Sequence, residues 1–292
     1  MIYTFDRIKP LNIPKITVTP EYLAKGRLKR EYNKTKLAFN VPWMGVVAMA
    51  FANYPNFYTT LWKLMLPLSK SKQFKDLCKD LVKISNRKSK ELRPVSIIKS
   101  LNKLGYSNYE IKKIYKINQI FTKGNMPYLI MATTARILLE KGEILNRNKF
   151  IYNSYKGKVL DKDGLVLMEE HHADKNIQEV YKSIKANIGL PFINTDYRAF
   201  SRWPSYFLKS WSNFLPTLQS EEYEKKVLEI HNFIIKETLL LPNPNRISSE
   251  ILINAANKDN KINEIIKVVK LFQWLLPGLV INVAYMREQI TS

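Results

Sequence analysis

The sequence matches itself. Slid over itself by 149 residues, the stretch 32–68 aligns without a gap on 181–217. Tyr32 meets Tyr181, Pro42 meets Pro191, Phe51 meets Phe200 and Pro55 meets Pro204. Trp62 then meets Trp211, Leu66 meets Leu215, and Pro67 meets Pro216. Further on, "NMPYLIMATTAR" parallels "LLPGLVINVAYM" at an offset of 150. Self-similarity of this kind restricts the chain to two related units. The first repeat is expected over 15–147 and the second over 165–292. Residues 148–164, with Gly157 and Gly164 and weak periodicity, read as a linker. Two such copies pack most simply as a pseudo-dimer about a two-fold axis, with room for a site between them.

Each copy reads as helical. "EIKKIYKINQIF" and "NEIIKVVKLFQWLL" place apolar residues at i, i+3, i+4 and i+7, and no stretch alternates convincingly with period two. The expected fold class is all-α. Pro42 and Pro191 suit a first helical turn, while Pro55 and Pro204 suit the start of the following helix. The spacing predicts a helix from about Pro191 to Trp203.

Composition narrows the class. With 292 residues and 46% hydrophobic content, the chain can bury a sizeable core. Its longest apolar run, "VPWMGVVAMAFA", is too short to cross a bilayer, which takes about 20 residues. The first residues lack the apolar core and cleavage site of a signal peptide, and Cys78 stands alone. A cytoplasmic protein is expected. The net charge of +22 suits either an anionic partner such as nucleic acid or a Lys-rich solvated surface. The basic residues are dispersed and broken by acids and by apolar positions at helical spacing, which favours the solvated surface. A positive field still attracts small anions.

The two copies differ in an informative place. The first-copy segment "PWMGVVAMAFANY" is apolar on all sides, as in a fully buried helix. The second copy carries Asn194, Thr195 and Asp196 where the first has Gly45, Val46 and Val47. An unpaired carboxylate in a core position costs several kcal/mol, roughly, and burial pushes its pKa upward. Asp196 is therefore a functional candidate. Two structural explanations stand beside it: a helix N-terminal role, or a salt bridge to Arg198 or Arg202. Those arginines lie at i+2 and i+6, away from the i+3 and i+4 positions that face Asp196. A second asymmetry runs the other way, because Asn125 in "GNMPY" faces Trp274 or Leu275 in the alignment. A site between copies would collect Asp196 from one and Asn125 from the other. The alternative for Asn125 is a turn residue after Gly124.

Other chemistries lack support. There is no GxGxxG, GxxxxGK, GxSxG or HExxH, so neither a nucleotide loop nor a zinc site is indicated. His171, His172 and Asp174 in "HHAD" read as a charged linker, "DKDG" at Asp161 as a turn, and His231 as a satisfied core histidine. No metal and no cofactor are expected.

The segment "GLPFINTDYRAFSRWPSYF", its upstream copy and "GNMPY" together resemble the group I 2-haloacid dehalogenases, the D,L-type enzymes that invert configuration. The resemblance covers nearly the whole chain. It implies an all-α fold of two tandem repeats and hydrolytic dehalogenation of short-chain 2-haloalkanoic acids. In that family an aspartate in the second repeat activates a water that displaces halide directly, with inversion and without an enzyme ester. Asp196 matches that aspartate, and Asn125 matches the asparagine that helps hold the water. Trp43, Tyr128 and Thr195 match pocket positions, with Thr195 where serine is common; "NMPY" departs from the family's "NPKY". Trp43, Phe192 and Trp274 are the expected apolar walls. Free N–H groups at Phe192 and Ile193 are candidates for holding the substrate carboxylate. The expected partner is a small 2-halocarboxylate, not a membrane, and a homodimer stays open. The competing readings are a non-enzymatic basic helical protein that binds nucleic acid and a hydrolase of another small carboxylic acid.

Overall fold

The computed structural model describes residues 3–145, 150–152 and 165–291. The expected linker thus lies almost wholly outside the described residues, as does "DKDG". The described chain is all-α, with no strand beyond an isolated bridge between Ser71 and Tyr152. Its helices are α1 (Gly26–Phe39), α2 (Val46–Phe51), α3 (Pro55–Ser69), α4 (Lys72–Glu91), α5 (Ile98–Lys103) and α6 (Asn108–Leu139). Then follow α7 (Lys175–Ile184), α8 (Thr195–Phe200), α9 (Pro204–Leu218), α10 (Glu221–Leu239), α11 (Ser249–Lys258) and α12 (Ile262–Glu288). None is long and apolar enough to cross a membrane.

Short polar residues set the starts. Ser71, Asp174, Ser220 and Ser248 each accept a hydrogen bond from the backbone N–H three residues on. Ser107 and Glu110 form a reciprocal capping box at the start of α6. Pro55 and Pro204 occupy the first positions of α3 and α9, where a missing N–H costs nothing. The bounds of α2 and α8, and of α3 and α9, differ by 149 at both ends.

Two expectations about local structure are corrected. Pro191 does not open a helix: the chain turns at 191–192, and α8 begins only at Thr195 with Asn194 as its N-cap. Pro42 likewise precedes α2, whose N-cap is Gly45. Asp196 therefore lies in a first turn. Nor is Asn125 in a turn. Residues 108–139 form one helix that runs through Gly124 and Pro127, and Pro127 is tolerated at the cost of one backbone hydrogen bond.

The core is built on α6 and α12, which pack along each other and are buried on nearly every side from Gly124 and Leu271 onward. Such all-round burial explains their nearly unbroken apolar sequences. The halves interlock: α3 packs on α11, α4 on α10 and α12, α8 on α6, and α2 on α12. The last four elements named, α8, α6, α2 and α12, thus meet at the centre. Ahead of α1, an extended strap crosses the bundle. Tyr3 donates to the carbonyl of Glu140 at 3.2 Å, Arg136 to that of Asp6 at 3.1 Å, and Tyr32 to that of Thr19 at 2.9 Å.

Candidate active site

A small cavity lies where those four elements meet. The loop before α2 and α2 itself contribute Trp43, Gly45, Val46 and Val47; α6 contributes Asn125 and Tyr128. The start of α8 brings Asn194, Thr195 and Asp196, and α12 closes the wall with Phe272, Leu276 and Leu279. Val47 and Asp196, matched positions in the two copies, line the same space. Its volume is about 20 Å³. That holds roughly one water, which needs about 10–15 Å³ by the same measure.

Asp196 is 2% exposed. Asn125 Nδ2 donates to its Oδ1 at 2.6 Å, joining α6 to α8. Burial raises the carboxyl from its ordinary 3.8 to about 6, while the Asn125 bond and its own backbone N–H pull it down. Among the described residues no cation neutralises it. Arg198 pairs instead with Glu169, and Arg202 lies over the Trp203 ring. The salt-bridge explanation of Asp196 therefore fails. The helix-terminal one is partly right, since the carboxylate does sit in a first turn. A first-turn aspartate is usually solvated, however, and this one faces an enclosed cavity.

The walls are held rigidly. The Tyr128 hydroxyl donates to the carbonyl of Trp43 at 2.8 Å and accepts from the N–H of Gly45 at 2.9 Å, so it is fully engaged. Burial pushes this phenol well above its usual range, which leaves it a neutral positioning group. The Trp43 ring packs on Phe121 at 4.7 Å between centroids. Gly124 permits that approach, because a Cβ there would lie 2.2 Å from a Trp43 ring carbon.

Five of the residues singled out in the sequence thus share one cavity: Asp196, Asn125, Thr195, Trp43 and Tyr128. Two do not. Phe192 sits one layer back, its ring against Phe272 at 5.9 Å, because the turn at 191–192 swings it outward. Trp274 lies on another face of α12, beneath the Arg7 guanidinium at 5.1 Å and the Lys9 ammonium at 5.2 Å. Phe272, Leu276 and Leu279 take the wall position instead. The later helix start also moves the first-turn N–H groups from Phe192 and Ile193 to Thr195 and its successors.

Sequence reasoning passed over Asn194 as a site residue. It lines the cavity, is 4% exposed, and its Oδ1 is buried without a hydrogen-bond partner. The signal was present, since Asn194 opens the polar triplet that replaces Gly45, Val46 and Val47.

Elsewhere, His231 is a satisfied core histidine. Its Nε2 meets the Phe5 carbonyl at 2.9 Å, its Nδ1 accepts from Gln273, and burial lowers its pKa to about 4. His171 and His172 are exposed on a short 3₁₀ turn. Among the described residues no three His, Cys, Asp or Glu side chains are grouped to hold a metal.

The geometry can be set beside known proteins. No family model matches the chain. It is 35% identical over 249 residues to an (R)-2-haloacid dehalogenase of Rhizobium sp. (strain NHG3), covering 84% of this chain and 96% of the relative. It is 33% identical over 282 residues to an (R)-2-haloacid dehalogenase of Pseudomonas putida, covering 94% and 92%. Among solved structures, a D-2-haloacid dehalogenase in complex with L-LA superposes with a TM-score of 0.90 at 31% identity, covering 97% and 99%. A mutant of a D-2-haloacid dehalogenase in complex with D-2-CPA gives a TM-score of 0.88 at 30% identity, covering 97% and 99%. A buried carboxylate beside a water-sized cavity and this likeness over most of both lengths lead to one assignment: the chain belongs to the 2-haloacid dehalogenase family, hydrolases that act on carbon–halide bonds.

Proposed function

We propose that this protein hydrolyses short-chain 2-haloalkanoic acids, with Asp196 as the general base for a water that displaces halide directly. The observation that carries this reading is a buried carboxylate with a pKa of about 6, no cationic partner, and one amide donor from the opposite half of the chain. Such a group is ionised at neutral pH yet basic enough to take a proton. The hydrogen bond from Asn125 occupies Oδ1 and orients the carboxylate, and Oδ2 is assigned the water. The unpaired Oδ1 of Asn194 suits the second hydrogen of that water.

Bond changes balance without a cofactor. The water oxygen forms a bond to C2 as the carbon–halogen bond breaks, halide leaves with the bonding pair, and the water proton passes to Asp196. Attack opposite the leaving group inverts C2 and yields the 2-hydroxy acid. Asp196 then returns its proton to solvent. The apolar walls of Trp43, Phe272, Leu276 and Leu279 keep bulk water from the reacting pair. The net charge of +22 favours arrival of an anionic substrate.

Both named relatives carry the (R) designation, and we expect the (R) enantiomer to be the better substrate here. Halide release from each enantiomer of 2-chloropropionate and 2-bromopropionate, with the configuration of the hydroxy acid determined, tests the reading. Halide release with inverted product supports it. No release from any of the four, or a product of retained configuration, refutes it.

A further inference from the structure

The cavity at Asp196 holds about one water and leaves no space for a three-carbon acid beside it. The substrate therefore needs a place next to that cavity. A second, larger cavity of about 120 Å³ lies against it, lined by Arg7, Tyr223, Trp274, Leu275, Gly278, Leu279 and Asn282 among others. Leu279 lines both cavities, so they share a wall.

This second cavity carries one charged pair, Arg7 with Glu224, and the guanidinium is partly unsatisfied. The Arg7 side chain is only 7% exposed, and its Nε is buried with no hydrogen-bond partner. One terminal nitrogen pairs with Glu224, which lines the cavity at its rim with its side chain 56% exposed, so the buried Nε is the donor left for a ligand. A buried guanidinium N–H without an acceptor is destabilising, and a carboxylate is the acceptor that fits it. Lys9 adds positive charge, its ammonium over the Trp274 ring and donating to the carbonyls of Gly189 and Ile188. Burial lowers the pKa of that ammonium. The polar rim continues inward: Tyr223 donates to Asn282 Oδ1 at 2.7 Å, and Asn282 donates to the hydroxyl of Tyr197 at 2.9 Å, next to Asp196 in the chain.

Gly278 aligns with Tyr128 at an offset of 150, so the second half has no side chain where the first carries a phenol ring. A Cβ on Gly278 would stand 2.9 Å from the Tyr223 hydroxyl and 3.7 Å from an Arg7 nitrogen. Glycine at this point keeps the floor of the cavity open.

We propose that this cavity is a carboxylate-binding vestibule, in which Arg7 holds the carboxylate of a small monocarboxylic acid on its way past Leu279 to Asp196. The proposal deepens the dehalogenase reading and rests on it for the destination of the acid. It assigns the N-terminal strap a role in substrate capture, because Arg7 and Lys9 both come from it.

The test uses two variants and two readouts on the full chain, with folding checked by circular dichroism and thermal melting. Arg7→Gln removes the charge. Gly278→Ala narrows the vestibule, and mid-helix alanine tends to stabilise, so it guards against a variant that merely unfolds. For 2-chloropropionate the expected result is a KM at least tenfold higher in Arg7→Gln and several-fold higher in Gly278→Ala, with kcat changed much less. Arg7→Lys, which keeps the charge, should recover part of the loss. Independently of turnover, titration calorimetry with propionate should show binding to wild type that weakens at least tenfold in Arg7→Gln. A wild type that turns over 2-chloropropionate while a folded variant of either kind keeps its KM within twofold overturns the vestibule and spares the dehalogenase reading. If Arg7→Gln does not fold, Gly278→Ala decides. A wild type without halide release defeats the dehalogenase reading; propionate binding that depends on Arg7 still supports the vestibule, and its absence overturns that too.

Discussion

Asn125 Nδ2 donates to Asp196 Oδ1 at 2.6 Å, so among the described residues the one side-chain hydrogen bond to the buried carboxylate crosses from the first half of the chain to the second. That bond stabilises the ionised form in a setting where burial opposes it. Asn125→Ala removes the donor. With a hydrogen bond to a charged group worth about 1.5–3 kcal/mol, the acidic limb of the pH–rate profile should move up by roughly one to two pH units. A profile measured between pH 5 and 9 checks this, and an unmoved limb contradicts it.

On the proposed mechanism, Asp196 must be ionised to act as a base. With its pKa near 6, kcat/KM should rise as pH climbs through 6 and level off by about pH 7. The limb reports the free enzyme, so stopped assays at subsaturating 2-chloropropionate are the measurement. A limb near 4 would mean an exposed carboxylate, which the geometry does not allow.

The same carboxylate carries a stability signature. Its folded pKa of about 6 lies above its ordinary 3.8, so the folded state holds the proton more tightly than the unfolded chain. This stabilising contribution is complete below pH 4 and is lost as pH rises through 6. The loss amounts to about 3 kcal/mol by pH 7.5. Asp196→Asn keeps the shape and an acceptor for Asn125 but never ionises. It should be more stable than wild type at pH 7.5, by up to about 3 kcal/mol, with the difference shrinking toward pH 4. Urea denaturation at the two pH values measures it. The gain should accompany complete loss of turnover.

Packing around Trp43 gives a mutation with the opposite sign. Gly124→Ala puts a methyl 2.2 Å from a Trp43 ring carbon. Helix propensity favours alanine by about 1 kcal/mol, while overpacking a rigid core costs roughly 1–3 kcal/mol. The clash should win, since Trp43 is 4% exposed and packed against Phe121 and Tyr128, and the cavity beside it has room for only about one water. Urea denaturation should show a net loss of stability, together with reduced activity from the displaced wall.

The helices and their pairing were legible in the sequence because the signals were local and doubled. Pro55 and Pro204 mark two starts that structure places at the first helical position. We read the matched bounds of α2 with α8, and of α3 with α9, as the trace of a duplication. Against that symmetry, three polar residues in place of Gly45, Val46 and Val47 stood out, and they point to the cavity. What failed was direction. Pro191 fits a helix start by propensity, yet the turn at 191–192 delays α8 to Thr195 and moves Phe192 off the wall. Trp274 aligns with Asn125 at an offset of 149, but a shift of one residue rotates a helical side chain by about 100°, enough to aim it at the strap. The strap itself has no periodicity, so nothing in residues 3–19 announced that Arg7 would reach a cavity beside the site. Asn194 was visible as part of the triplet, but only the structure reveals that its oxygen lacks a partner.

A base and a nucleophile would use Asp196 differently, and one experiment separates them. As a nucleophile its oxygen would bond to C2 and leave an ester, which water would then open at the carboxyl carbon. As a base it takes only a proton. A single turnover with enzyme in excess over 2-chloropropionate, run in ¹⁸O-water, shows where the heavy oxygen goes. The account predicts ¹⁸O in the hydroxyl of the product and none in the peptide containing Asp196. Unlabelled hydroxy acid released first, with ¹⁸O in Asp196, would contradict it.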